Sequence, residues 1–346
     1  MSKWSLEQAS EWYNQYQWFV GCNFLPSTSI NQLEMFQSDS FDLSTIKNEL
    51  KLAKSLGFNS LRVYLHDLLW NNKQEFCKNF DEFLNATQQY NLKPIIVLFD
   101  DCHRSNPASG KQPLPVKGVH NSGWAQSPGY KTVKAIHDGN YEEVERLKNF
   151  FQEILEKYSK DKRILMWDIY NEPGQFGNNE NSFELLDFAW KWALEVRPDQ
   201  PLTACLHGSV GKDIIELNKK NSDIITFHMY EINKLEDTIK ELQELNRPIF
   251  CTEYMARAFG TTFAASLPIF QKYNVSCYNW GLVAGKSQTH FGWETIIEIE
   301  KKKKENLYLN DGDAIPEPEM WFHDIFRTDG SAFDEKEVKF LKNFLS

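Results

Sequence analysis

The chain has 346 residues, 41% of them hydrophobic and 14% aromatic, with 48 acidic against 38 basic side chains for a formal net charge of −10. That balance argues against a nucleic-acid binder, which carries a basic footprint, and no run of about 20 apolar residues offers a membrane span. The length exceeds one ordinary compact core, yet no Pro/Gly/Ser-rich linker marks a boundary, so a single domain over residues 1–346 is expected.

Short apolar runs alternate with longer amphipathic ones. The runs at 19–24, 60–65, 94–99, 164–170, 202–206, 224–228, 248–253 and 275–280 are rich in Val, Ile, Phe and Tyr, as strands buried on both faces should be. Helices are predicted between them. The stretch 45–56 repeats Ile46, Leu50, Ala53 and Leu56 and stops at Gly57. The stretch 141–158 carries an apolar stripe through Tyr141, Val144, Leu147, Phe150, Phe151, Ile154, Leu155 and Tyr158. Further helical patterns lie at 181–196, 235–245 and 261–273. Strand-then-helix repeated about eight times predicts a parallel sheet closed into a (β/α)8 TIM barrel. A doubly wound open sheet is the alternative, but no Gly-rich phosphate loop follows the first strand. The segments after strand 1 (25–43), strand 3 (100–140) and strand 8 (281–327) are long, and in a barrel they fall on the C-terminal face, where active sites are built.

The 11 Trp and 25 Phe serve either to fill the core or to line a cleft for sugar rings. Cys22, Cys205, Cys251 and Cys277 lie inside apolar segments, with no metal-ligand spacing and no disulfide framework. The opening stretch MSKWSLEQASEWYNQYQW lacks the apolar core of a secretion signal, so a cytoplasmic protein with reduced thiols is expected. The basic run at 301–304 sits among Glu298, Glu300 and Glu305 and reads as a solvated helix end or loop.

Polar side chains gather at the C-terminal ends of the predicted strands: Arg62 on strand 2, Asn171-Glu172 after strand 4, His228 and Tyr230 around strand 6, Glu253 on strand 7 and Trp280 on strand 8. In DIYNEPG (168–174), a Pro and a Gly end the strand and leave a carboxylate standing at the barrel mouth. Two glutamates facing one another there match the pair that glycoside hydrolysis requires, about 5–5.5 Å apart for retention and wider for inversion. The acid of such a pair needs a raised pKa, and the nucleophile needs cationic or donor partners such as Arg62 and Tyr230. His228 can hydrogen-bond the acid or the substrate, and Asn171 can donate to a sugar 2-hydroxyl.

The ordered set DIYNEPG, FHMYE, IFCTEY and YNWG resembles glycoside hydrolase family 5, a family of retaining barrel glycosidases, across essentially the whole barrel. The resemblance implies Glu172 as acid/base and Glu253 as nucleophile, supported by Arg62, Asn171, His228 and Tyr230, with Trp280 against the substrate. It also implies a histidine after strand 3, for which His103 and His120 both stand. The stretches VGCNFLPSTSINQLEMFQ, LRVYLHDLLW, HNSGWAQSPG, NWGLVAGKSQTHF and WFHDIFRTDG are similar to a subgroup of the family whose implied activity is β-mannosidase on short glycans such as Manβ1-4GlcNAc.

The expectation is therefore a retaining β-glycosidase working by double displacement without cofactor or metal, with a small oligosaccharide as its partner and neither nucleic acid nor membrane. Its oligomeric state is open. Endo-acting glucanase, xylanase or mannanase action is the alternative within the family. A non-catalytic carbohydrate-binding barrel is an alternative outside it, and so is an aldolase or phosphosugar isomerase, which needs a Schiff-base lysine or a phosphate-binding glycine loop such as the region bracketed by Gly281 and Gly285. Further substrate contacts are expected from Asn23 and from Glu34 in the polar cluster Asn31-Gln32-Leu33-Glu34. Trp124, Trp293 and Trp321 are either sugar platforms or packing for their own loops. His66-Asp67 reads as a structural pair, and His103 beside Asp100, Asp101 and Cys102 lacks the second ligand set a metal would need.

Overall fold

The computed structural model describes residues 2–298 and 316–346; the basic run at 301–304 lies outside the described residues. Eight parallel strands, β1 (Val20–Asn23), β2 (Ser60–Tyr64), β3 (Lys93–Asp100), β4 (Met166–Asn171), β5 (Leu202–Thr203), β6 (Ile225–His228), β7 (Ile249–Tyr254) and β8 (Ser276–Trp280), run in the order β5-β4-β3-β2-β1-β8-β7-β6. Single bonds close the ring between β5 and β6. Leu206 N donates to Thr226 O at 2.8 Å and His228 N to His207 O at 2.8 Å, and the hydroxyls of Thr203 and Thr226 meet at 2.9 Å. The architecture is the (β/α)8 barrel that the repeated pattern predicts.

Strand ends fall within a residue or two of the apolar runs, except that β5 keeps ladder geometry only over Leu202–Thr203. From Ala204 on, the backbone bonds to Ser222 Oγ and Thr226 O rather than to β4. The predicted helix at 141–158 spans Val144–Tyr158, and Tyr141, 54% exposed, leaves the stripe to meet Phe188 edge-on. The long loops hold more helix than their composition suggests, Gln32–Phe36 after β1 and Tyr130–His137 after β3. Among the described residues, no helix is long and apolar enough to cross a membrane. All six cysteines are free and buried.

The barrel interior has an apolar end and a polar end. At the N-terminal end Ile95, Met166, Phe250 and Tyr278 form one cluster with Trp12 and Tyr13 of the helix Leu6–Tyr13. That helix starts on a capping box at Ser5 and Gln8, and Tyr13 reaches within 5.6 Å of the Phe250 ring. It stoppers the bottom of the barrel. Toward the other end the interior turns to Arg62, Asp168, Thr203 and Thr226. Truncating the stopper's partner, Phe250→Ala, should cost about 3–5 kcal/mol, as buried aromatic truncations do. The denaturant midpoint should fall while kcat stays near wild type, and a kcat that falls with the midpoint would show the two ends of the barrel to be mechanically coupled.

Candidate active site

The NEPG turn is built to hold one carboxylate. Glu172 follows β4 with φ 45°, and Gly174 has φ 92°. A Cβ at Gly174 would meet Val210 O at 2.6 Å, so only glycine fits this close approach. Gly174 N donates to Asp101 Oδ2 at 2.6 Å, and Val210 N donates to Pro173 O at 2.9 Å. A left-handed glutamate is a strained choice, and such strain concentrates at functional sites.

Arg62 is fully buried at the centre of the polar layer. Its Nη2 donates to Asp168 Oδ2 at 2.8 Å and Asn171 Oδ1 at 2.7 Å. Its Nη1 donates to Asn23 Oδ1 and Glu253 Oε1, each at 2.9 Å, and to the Tyr64 hydroxyl. Glu253 receives two more bonds, from Tyr64 OH at 2.8 Å and from Tyr230 OH at 2.7 Å.

Regular alternation along β7 would turn Glu253 outward, since Phe250 belongs to the interior cluster and Cys251 to the outer one. The register slips here: Phe227 pairs with Cys251 and His228 with Glu253. One extra residue, Thr252, is accommodated, and the bulge aims Glu253 into the mouth beside His228. His228 Nδ1 stands 2.7 Å from Glu172 Oε1 and 3.5 Å from Glu253 Oε2. One carboxylate oxygen from each glutamate and a nitrogen of His228 all lie within 4.8 Å of one another. The spacing matches a retaining pair and falls short of the roughly 6.5–9.5 Å that an inverting pair needs.

A cavity of about 380 Å³ opens over this pair, lined by Asn171, Glu172, His228, Tyr230, Glu253, Trp280, His103, His120 and Trp124 among the residues expected from sequence. Trp124 is nearly buried and donates to Asp100 Oδ2 at 2.5 Å. It packs with Tyr64 and Trp280 in one aromatic corner. Asn23 sits behind Arg62, donating to Thr252 O at 2.8 Å, and borders only a small adjoining void of about 20 Å³. Glu34 accepts from Ile30 N at 2.6 Å and stands 3.7 Å from Lys286 Nζ, away from the cavity. Trp293 lines the cavity, whereas Trp321 is buried against Phe333. His66 and Asp67 form a fully buried pair at 3.0 Å that takes no part in the cavity.

Residues 21–286 match the model of the cellulase family, glycosyl hydrolase family 5. The chain belongs to glycoside hydrolase family 5. It is therefore a glycoside hydrolase of retaining stereochemistry. Solved structures share its fold at low identity. An exo-β-1,4-mannosidase from an Opitutaceae bacterium has a TM-score of 0.62 at 15% identity, covering 95% of this chain, which spans 59% of that one. A subfamily 18 member of family 5 from Streptomyces cattleya, in complex with Manβ1-4GlcNAc, scores 0.60 at 12% identity over 95% and 80% of the two chains. An endo-1,4-β-D-mannanase from Thermotoga petrophila scores 0.58 at 13% identity over 95% and 99%. A search of curated protein sequences finds no match.

Several side chains at this family-5 site were not singled out from the sequence. Tyr64 lies two residues from Arg62 and therefore on the same strand face, a period that could have found it. Cys102 donates its thiol to Glu172 Oε2 at 3.1 Å, and burial keeps that thiol protonated by raising its pKa. His323 arrives from the distant end of the loop after β8; it lies inside the stretch WFHDIFRTDG, where nothing local marks it as the side chain that reaches the cavity.

The two glutamates differ in surroundings. Burial opposes ionisation of Glu253, but the His228 imidazole, the Arg62 guanidinium and the hydroxyls of Tyr230 and Tyr64 outweigh it and hold the carboxyl below its usual range. Among the described residues, the carboxylate oxygens of Glu172 have hydrogen-bond partners only in His228 and Cys102. Asp100, behind Asn171, is pushed up to about 6 by burial against its donors Asn171 and Trp124. Tyr230→Phe removes one donor to the anionic form of Glu253, so its pKa should rise. The acid limb of the kcat/KM profile should move to higher pH, with the alkaline limb unmoved; an unshifted acid limb would mean that this limb does not report Glu253.

Proposed function

We propose that this chain is an exo-acting β-mannosidase that removes a terminal mannose from short β-1,4-linked oligosaccharides such as Manβ1-4GlcNAc, with residues 1–346 as one catalytic unit. Glu253 attacks the anomeric carbon while Glu172 gives its proton to the departing glycosidic oxygen. Glu172 then takes a proton from water, which displaces Glu253 and releases the sugar with its configuration retained. The observation that carries the reading is the asymmetric carboxylate pair within 4.8 Å, one member surrounded by donors and the other open to the cavity. A non-catalytic barrel has no need of that arrangement.

The mannose assignment is supported by the mannosidase and the Manβ1-4GlcNAc complex among the similar folds. Exo action is supported by the walls: Gln175 and Phe176 after β4, Asn121 and Trp124 after β3, and Trp293, Ile296 and His323 after β8 enclose the cavity. Exposed Phe176 and the partly exposed Trp293 at its mouth offer flat apolar faces to the departing sugar. Six unpaired, buried thiols suit a reducing compartment such as the cytoplasm. Endo action is the second reading, favoured by the full-length likeness to an endo-mannanase.

The test is hydrolysis of 4-nitrophenyl β-glycosides, β1-4 disaccharides and polymeric mannan by wild type, Glu172→Gln and Glu253→Gln. Glu253→Gln should turn over nothing. Glu172→Gln should lose about 10²–10⁴-fold on disaccharides and far less on nitrophenyl substrates, whose leaving group needs no proton. Added azide should rescue it as a glycosyl azide of retained configuration. Activity surviving both substitutions sinks the mechanism, and a preference for mannan over Manβ1-4GlcNAc selects the endo reading.

A further inference from the structure

Two imidazoles in the cavity wall have their protons placed by what they touch. His120 Nδ1 lies 2.8 Å from the backbone carbonyl oxygen of Phe291, and His323 Nδ1 meets the carbonyl oxygen of Met255. A carbonyl only accepts, so Nδ1 carries the hydrogen in both rings, and in the neutral ring Nε2 is left as a lone pair. Burial keeps both rings neutral, with His120 held down to about 4 and His323 well below the usual histidine range. Among the described residues neither Nε2 has a partner, and neither is sealed away as His228 Nε2 is. Both residues line the cavity.

The rings stand 5.3 Å apart, and His323 is 5.6 Å from the ring of Tyr230, whose hydroxyl holds Glu253. A sugar whose anomeric carbon meets Glu253 therefore has its own hydroxyls beside this wall. We propose that His120 and His323 are specificity residues whose bare Nε2 atoms accept hydrogen bonds from hydroxyls of that sugar, and that this pair of acceptors, set in a lining without a cation among the described residues, restricts the enzyme to neutral, unphosphorylated glycans.

The restriction follows from the two bare acceptors and the charge around them. A sugar hydroxyl can donate, whereas a phosphate dianion or a uronate carboxylate cannot. Among the described residues lining the cavity there is no Lys or Arg, while Glu172 and Glu253 contribute negative charge. An anionic substituent placed there loses its water, faces two bare acceptors and two carboxylates, and gains no cationic partner, a large penalty for a charged group. Rejecting a substrate that leaves polar atoms unpaired is also the strongest discrimination a pocket can make.

The inference rests on the glycosidase reading, and two measurements separate their fates. In the first, 4-nitrophenyl β-mannoside, its 2-, 3-, 4- and 6-deoxy analogues and its 6-phosphate are assayed with wild type, His120→Asn and His323→Asn. Asparagine can keep a donor toward the backbone carbonyl but lacks the Nε2 acceptor. At least one deoxy analogue should lose about 10-fold in kcat/KM with wild type, and that penalty should vanish in the matching variant. The 6-phosphate should not be turned over. Equal deoxy penalties in wild type and both variants overturn the contact, and turnover of the 6-phosphate overturns the restriction.

The second measurement needs no catalysis. Tryptophan fluorescence, with Trp280 and Trp293 in the cavity wall, is titrated with mannose and with mannose 6-phosphate. Saturation by mannose alone upholds the inference even if no glycoside is hydrolysed, in which case only the glycosidase reading fails. Saturation by the phosphate, or by neither sugar, overturns it.

Discussion

A guanidinium with no access to water is the constraint from which the rest of this site follows. Arg62 is fully buried, and an isolated charge in such a place is prohibitively costly. It is tolerated because its donors end on two carboxylates, Asp168 and Glu253, and on neutral acceptors from Asn171, Asn23 and Tyr64. Those partners come from β1, β2, β4 and β7, so one cation ties four strands in register around the mouth. It also sets Asn171, the residue immediately before Glu172, and it keeps Glu253 ionised. Removing it would strand two buried negative charges, and the barrel and the chemistry therefore share this one requirement.

The barrel alone would offer an open dish. The long connections convert it into a pocket by bonding to one another across the top. Asn121 N donates to Ser287 O at 2.9 Å, Gly118 N to Gln288 Oε1 at 2.7 Å and His120 N to Thr295 Oγ1 at 3.0 Å, all joining the loop after β3 to the loop after β8. Lys286 N donates to Ser27 O at 3.0 Å, adding the loop after β1. The lacing explains how residues as far apart in the chain as Cys102, His120, Trp293 and His323 line one cavity. Rigid strands hold the carboxylates, and laced loops decide what can reach them.

The strands were legible because a parallel strand buried on both faces reads as a short unbroken apolar run. Glu172 was legible because Pro173 and Gly174 stop such a run at one residue and leave the carboxylate at its end. Tyr64 was legible in principle from its spacing to Arg62. Asn23 and Glu34 were placed by composition alone, and side chains that could meet either a sugar or the protein are not sorted by composition. Asn23 turned to Arg62 and Thr252, and Glu34 to its own loop. Cys102 stood out only as a neighbour of His103 and His323 only inside WFHDIFRTDG, because loop residues without periodicity acquire their neighbours only when distant segments pack.

The sequence by itself determined the barrel, the order of its strands and the residues at their C-terminal ends, since apolar periodicity and turn chemistry act over a few neighbouring positions. Only the tertiary structure decided where the carboxylates point. By alternation alone Glu253 faces outward on β7; the bulge that admits Thr252 and turns Glu253 toward His228 exists only when β6 and β7 pair. The same holds for His120 and His323, whose proton positions are set by carbonyls of Phe291 and Met255. Register and hydrogen-bond partners are relations between strands and loops far apart in the chain, and no single segment contains them.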